Sequence, residues 1–401
     1  MAVRALTPTR AATRFLSRGK SGALVLGLAA AAAVAVPASA SASADVSPVV
    51  GHVYVNDNTA GTNTIGVFDR HEDGRLTPAA EPSVAAGGAG TGAGLASQGA
   101  IQISADGRFL VAVDAGSNQI SVLRIGPGGS LSLVPDGVVS SGGVLPVSVA
   151  VHGDLVYVAN AGATDSNYTG FRLNPQGHLR PIPHSTVALP NGSQPGDVLF
   201  NGDGTKLAGT RVATSMIDSF TVRPNGRLAA APGSPFKAEG LGPFGSEFRP
   251  TDRDQLFVSN AHNGGTTGTG TVSAFSDAAD GTLSSITGSP FADNQTAPCW
   301  VEISHDGQFL FTVNTGSGTI SRYSIAASGA LNLLGSTHVG ATGGVGAVDA
   351  RLSPDGGFLY VDESRIGAVG EFAVNGGNLT ELTGSPVSLP AGAAPAGIVV
   401  S

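Results

Sequence analysis

The sequence predicts an all-β fold: one ring of seven four-stranded blades, a β-propeller, closed by its own C-terminal strand. Three observations carry this. A strand–turn–strand stretch recurs about every 50 residues. Seven β-branched second strands can be counted. The chain ends on a first strand with no second strand after it, and begins on a second strand with no first strand before it.

The recurring stretch is clearest at Val301-Glu302-Ile303-Ser304, His305-Asp306-Gly307-Gln308 and Phe309-Leu310-Phe311-Thr312-Val313-Asn314. Asp306-Gly307 reads as a hairpin turn, because glycine takes positive φ without steric cost. The flanks are rich in β-branched and aromatic residues, as strands are. Near copies are Ile101–Leu110 and Ala350–Leu359. The turn residues Asp106, Asp154, Asp203, Asp306 and Asp355 lie 48, 49, 103 and 49 residues apart, and a weak copy at Asp252 to Asp254 divides the long gap.

Residues 1–44 read as an export segment outside the fold. Arg4, Arg10, Arg14, Arg18 and Lys20 form a basic start without an acid, Ala23 to Val36 is apolar, and small residues near Ala40 to Ala44 offer a cleavage site. The expected location is therefore extracellular. A membrane anchor is the alternative, but the apolar run is short. The composition, low in lysine and high in alanine and glycine, suits a GC-rich bacterial genome. The whole chain carries 21 basic and 29 acidic residues; without the segment's five cations, 16 face 29, a net −13. That balance argues against nucleic acid and anionic membranes as partners. Cys299 is the single cysteine, so no internal disulfide can form.

Residues 45–401 are then one propeller domain, expected to be monomeric and without a membrane span. Its second strands are His52–Asn56, Leu110–Asp114, Val156–Asn160, Lys206–Thr210, Leu256–Asn260, Phe311–Asn314 and Leu359–Asp362. A third strand follows each, then a glycine turn such as Asp73-Gly74 or Asn225-Gly226, then an outer fourth strand. Pro395 to Ser401 matches a first strand. Gly397 to Val400 is expected to pair with Gly51 to Val55, burying Ile398 and Val400 and removing open sheet edges. The Asn or Asp that ends most second strands recurs too regularly for a ligand set, and is expected to bond its own turn. Ala85 to Ala96 and Gly264 to Gly270 are glycine-rich and expected to be flexible loops.

Ser353-Pro354-Asp355-Gly356 with Phe358-Leu359-Tyr360-Val361, and Val156-Tyr157-Val158-Ala159-Asn160, resemble the lactonase-like propellers, the family of 6-phosphogluconolactonase and carboxymuconate cyclase, and the related YVTN repeats. The resemblance spans the mature chain and implies the fold; the shared residues are structural. It also implies His and Arg at the starts of inner strands. The matching stretches here are Gln194-Pro195-Gly196-Asp197 and Gly242-Pro243-Phe244-Gly245, with glycine and phenylalanine in those places.

Registering each inner strand on its turn serine puts Gln102, Glu302 and Arg351 at one position, with Asp197, Ser246, Trp300 and Asp349 two residues earlier on the same face. On this register the fifth blade charges the opposite face, through Glu247 and Arg249. Charges on inner strands need partners. One reading is ion pairs between blades, such as Glu302 with Arg351. The other is a polar axial pocket, with Glu302, Arg351, Glu247 and Arg249 as catalytic groups and Gln102, Asp197, Trp300 and Asp349 holding a substrate. No metal or cofactor motif occurs. His262, alone in a loop, reads as solvated. Two functions follow: an exported lactonase or cyclase acting on a small carboxylated lactone, or a non-catalytic propeller binding a small-molecule ligand or a protein or cell-surface partner.

Overall fold

The computed structural model describes residues 47–262, 266–340, 344 and 346–401; the expected export segment and part of the glycine-rich loop at 264–270 lie outside the described residues. Seven antiparallel sheets form the seven blades of a propeller, and the described residues hold no helix beyond a three-residue 3-10 turn at Pro127–Gly129. From the axis outward, blade 1 runs Gly397–Val400, Val49–Asn56, Thr64–His71 and Leu76–Ala85. The inner strands of blades 2 to 7 are Ile101–Ile103, Pro146–His152, Pro195–Phe200, Pro243–Arg249, Pro298–Ile303 and Ala347–Leu352.

Closure follows the expected design, moved by one residue. Val400 faces Val53 and Gly397 faces Asn56. Ser401 continues the ladder by exchanging backbone bonds with His52. Ile398 is fully buried, whereas Val400 is only half-buried; Val399 is the second buried side chain of this strand.

The hairpins work as their sequence suggests. Ser104, Ser304 and Ser353 each donate to the aspartate two residues on and accept from the amide of Phe109, Phe309 and Phe358. Gly107, Gly307 and Gly356 take φ near +70°. The second-strand tyrosines have a use that local pattern does not disclose. Tyr54, Tyr157 and Tyr360 donate from buried hydroxyls to the carbonyls of Gly129, Gly226 and Gly74, each in a neighbouring blade, at 3.0, 2.7 and 2.9 Å. These bonds join blades, and seven apolar clusters fill the seven interfaces.

Three expectations are corrected. Asn56 bonds its own turn as expected, accepting from the amide of Asn58 at 3.1 Å, but other strand-ending residues reach away from theirs. Asn260 and Asn314 donate to hydroxyls of their third strands, and Asn160 to Asn167 Oδ1 and Ser141 O. Side chains of the next strand lie within reach, so they outcompete the turn. The loop Ala85 to Ala96 is tied down: Asn58 bonds Thr91 and Ala93 through its side chain, and Gly90 and Gly92 donate to the backbone of Thr59 and Asn58. The outer strand is split in blades 3, 4, 5 and 7. At each break a serine fills the gap in the ladder. Ser185, Ser234, Ser289 and Ser385 accept from the amides of Gly170, Ser219, Ala274 and Glu371 at 2.8–3.1 Å.

Candidate functional site

Four inner-strand side chains share one rung of the ring. Gln102, Glu247, Glu302 and Arg351 stand opposite Val111, Phe257, Phe311 and Tyr360, the matching places of four second strands. Glu247 therefore lies on the axial face, not the opposite one. The hairpin of blade 5, between Phe248 and Leu256, holds one residue more than that of blade 6, between Ile303 and Leu310, so counting from the turn misplaces the strand. The same shift puts Gly245, rather than Ser246, in the column of Asp197, Trp300 and Asp349.

Arg351 is the centre of charge. Its guanidinium lies 2.7 Å from Glu302 and 3.6 Å from Glu247. Glu302 also accepts from the amide of Leu352 at 3.0 Å, so it is spent on blade 7. Glu247 is the more open carboxylate, with about a quarter of its side chain (27%) exposed. Removal from bulk water pushes it up to about 8, against the pull of Arg351. Asp197 is fully buried, and burial pushes it up to about 7 although it accepts from Ser246 N, Ser246 Oγ and Ser148 Oγ. Asp349, raised by burial to about 6, accepts from the amides of Gly99 and Ala350. Gln98, Gln102, Asp197, Glu247 and Arg351 line an open cavity of about 260 Å³.

Arg249 does not belong to this group. It donates to the carbonyls of Gly307 and Ala326 and to Gln255 Oε1, pinning blade 5 to blade 6. Trp300 faces another compartment. Its indole donates to Ser97 O at 2.8 Å, and its ring meets Phe244 edge-on with centroids 5.1 Å apart. Asp349 is covered and lines no cavity with the others.

What separates Trp300 from Arg351 is a plug that sequence reasoning missed. Ser97-Gln98-Gly99, in the link from blade 1 to blade 2, crosses the axis. Ser97 Oγ donates to Val147 O in blade 3, and Gln98 N donates to Gly196 O in blade 4. The Gln98 side chain donates to Ser246 O in blade 5 and accepts from Val301 N in blade 6, both at 2.9 Å. Gly99 N meets Asp349 in blade 7. A Cβ on Gly245 would lie 2.1 Å from Gln98 Oε1, so only glycine fits there. The glycines at 196 and 245, standing where histidines were implied, are where the plug touches. Nothing in Ser-Gln-Gly marks it in advance; the structure shows Ala96 and Gly99 at positive φ on either side of the crossing. Among the described residues no group of three or more His, Cys, Asp or Glu could hold a metal, and no helix is long and apolar enough to cross a membrane.

Residues 51–200 and 248–396 match the family described as lactonase, 7-bladed beta-propeller. The chain belongs to that lactonase family. The segment between the two matches, 201–247, contains Phe244, Gly245 and Glu247, together with Ser246, one of the residues that the plug of this lactonase-family chain bonds. Its fold is similar to the periplasmic gluconolactonase PpgL of Pseudomonas aeruginosa, at 18% identity and a TM-score of 0.70 over 87% of this chain and 98% of that one. It is also similar to a Bacteroides fragilis protein provisionally assigned as a 6-phosphogluconolactonase, at 19% identity and 0.68 over 88% and 98%. A Bacteroides uniformis protein with the same provisional assignment gives 20% and 0.67 over 88% and 100%. No curated protein sequence matches the chain.

Proposed function

We propose that this lactonase-family propeller is exported and acts on a small carboxylated lactone in the cavity beneath the plug. The observation that carries the reading is Glu247: a water-accessible carboxyl on the axial rung, 3.6 Å from the fixed cation of Arg351 and raised by its partial removal from bulk water. A carboxyl raised in this way can give its proton to the ring oxygen as water adds to the lactone carbonyl and the ring C–O bond breaks, and then take up the proton the water releases. Arg351 supplies positive charge for a substrate carboxylate or a developing oxyanion. Glu302 positions Arg351; Asp197 holds blades 3, 4 and 5 together around the cavity. Family membership and the names of the similar gluconolactonases support the substrate class.

Glycine and phenylalanine at Gly196, Phe244 and Gly245 favour a second reading, a propeller that binds such a ligand without turning it over. A panel of sugar and muconate lactones separates the two. Turnover by the parent that falls roughly 100-fold or more in Glu247→Gln, with an unchanged melting temperature, supports catalysis, in line with the ~10²–10⁴ of general acids. A lactone that raises the melting temperature without being consumed supports binding. Export is checked by intact-mass analysis of the secreted protein: the chain should begin near Ala44, and a mass that still includes Met1 rules the cleavage out.

A further inference from the structure

On the other side of the plug lies a cavity of about 490 Å³ that the proposed chemistry does not use. Its floor is apolar: Trp300, Phe244, Val212, Val348 and Cys299. The indole nitrogen is already bonded to Ser97 O, so the ring is fixed and offers the cavity only carbon surface. The titratable groups of the rim are His262 and Arg365, and among the described residues no carboxylate lines the cavity, in a chain where acids outnumber bases. Arg365 is exposed. Its bond to Gly344 O is long, at 3.4 Å, and among the described residues no acid pairs with it. A rigid aromatic floor under an unneutralised guanidinium suits a molecule with an apolar ring at one end and an anion at the other.

We infer that this cavity is a binding site for a small aryl-alkyl carboxylate, its ring on Trp300 and Phe244 and its carboxylate on Arg365. The site stands independently of catalysis beneath the plug. Trp300 is the only tryptophan of the chain, so its emission reports occupancy directly.

The test titrates the purified protein with 4-phenylbutyrate and, separately, with the neutral 4-phenylbutan-1-ol, following Trp300 emission. The expected result is a saturable one-site change, with the carboxylate bound at least tenfold more tightly than the alcohol. Arg365→Gln, an exposed position that should leave melting unchanged, should abolish that preference while the alcohol still binds. Val212→Phe should fill the floor and lose both ligands; if it fails to fold, the Arg365 comparison stands alone. No saturable change in emission overturns the site. Equal affinity for the two ligands, or a preference that survives Arg365→Gln, overturns the assignment of the anion to Arg365.

Discussion

Asp362 is the residue least at ease in this molecule. It is fully buried where the ring closes, and neither carboxyl oxygen has a hydrogen-bond partner. Burial raises it far above the usual range, and Asp349, Asp57 and Glu363 add repulsion. Asp57 and Glu363 are themselves raised to about 7, and Asp349 to about 6, with burial the main cause in each. The sign follows from proton counting. Between about pH 4 and pH 7 the unfolded chain releases protons that the folded chain keeps, so stability falls as pH rises through that window, and the Asp362 contribution goes on falling until the pH passes its raised folded value. Asparagine suits the place better. Asn56, its counterpart in blade 1, donates to Ala100 O and Val113 O across the next interface. Asp362→Asn should therefore match the parent at pH 4 and be more stable at pH 8 by at least about 1.4 kcal/mol, the worth of one pKa unit. Urea denaturation at the two pH values checks this; a variant weaker than the parent at pH 8 refutes the neutral-acid account.

Among the elements, the closing strand carries the sharpest expectation. Removing residues 395–401 strips the axial strand from blade 1 and uncovers Tyr54 and Val55. The burial of Ile398 and Val399 goes with it, at ~1.5–3 kcal/mol for each large apolar side chain. The truncated protein should aggregate or melt well below the parent, whereas trimming residues 45–48 should do little; equal melting curves would show that the ring does not depend on this strand. The strand could be foreseen because its two clues are local: a first strand that stops, and a second strand that lacks one. The hairpins were legible for the same reason, since Ser-x-Asp-Gly folds on itself. Glu247 was misplaced because blade 5 has no turn serine and carries one extra residue in its hairpin. Arg249 was misassigned because its partners, Gly307 and Ala326, lie in another blade and leave no mark in the local pattern.

At the scale of the whole molecule, repetition made the fold readable, and departure from it hid the site. Every blade contributes a hairpin and a packed second strand, so periodicity alone gives the count. The plug occurs once. Its contacts reach blades 3 to 7 from the single segment Ser97-Gln98-Gly99, and no periodic argument finds a segment without copies. It also explains why a side chain is absent at Gly245, whose space Gln98 takes; at Gly196 a Cβ would meet Val212 instead.

That crossing segment makes the axis a blind well and not a tunnel. A product formed beside Glu247, as proposed, would have to leave by the doorway through which it arrived, against the inflow of fresh substrate. A ring-opened acid carries one more anion than its lactone and so holds Arg351 harder. Turnover should therefore slow long before substrate is exhausted, with added product acting as a competitive inhibitor.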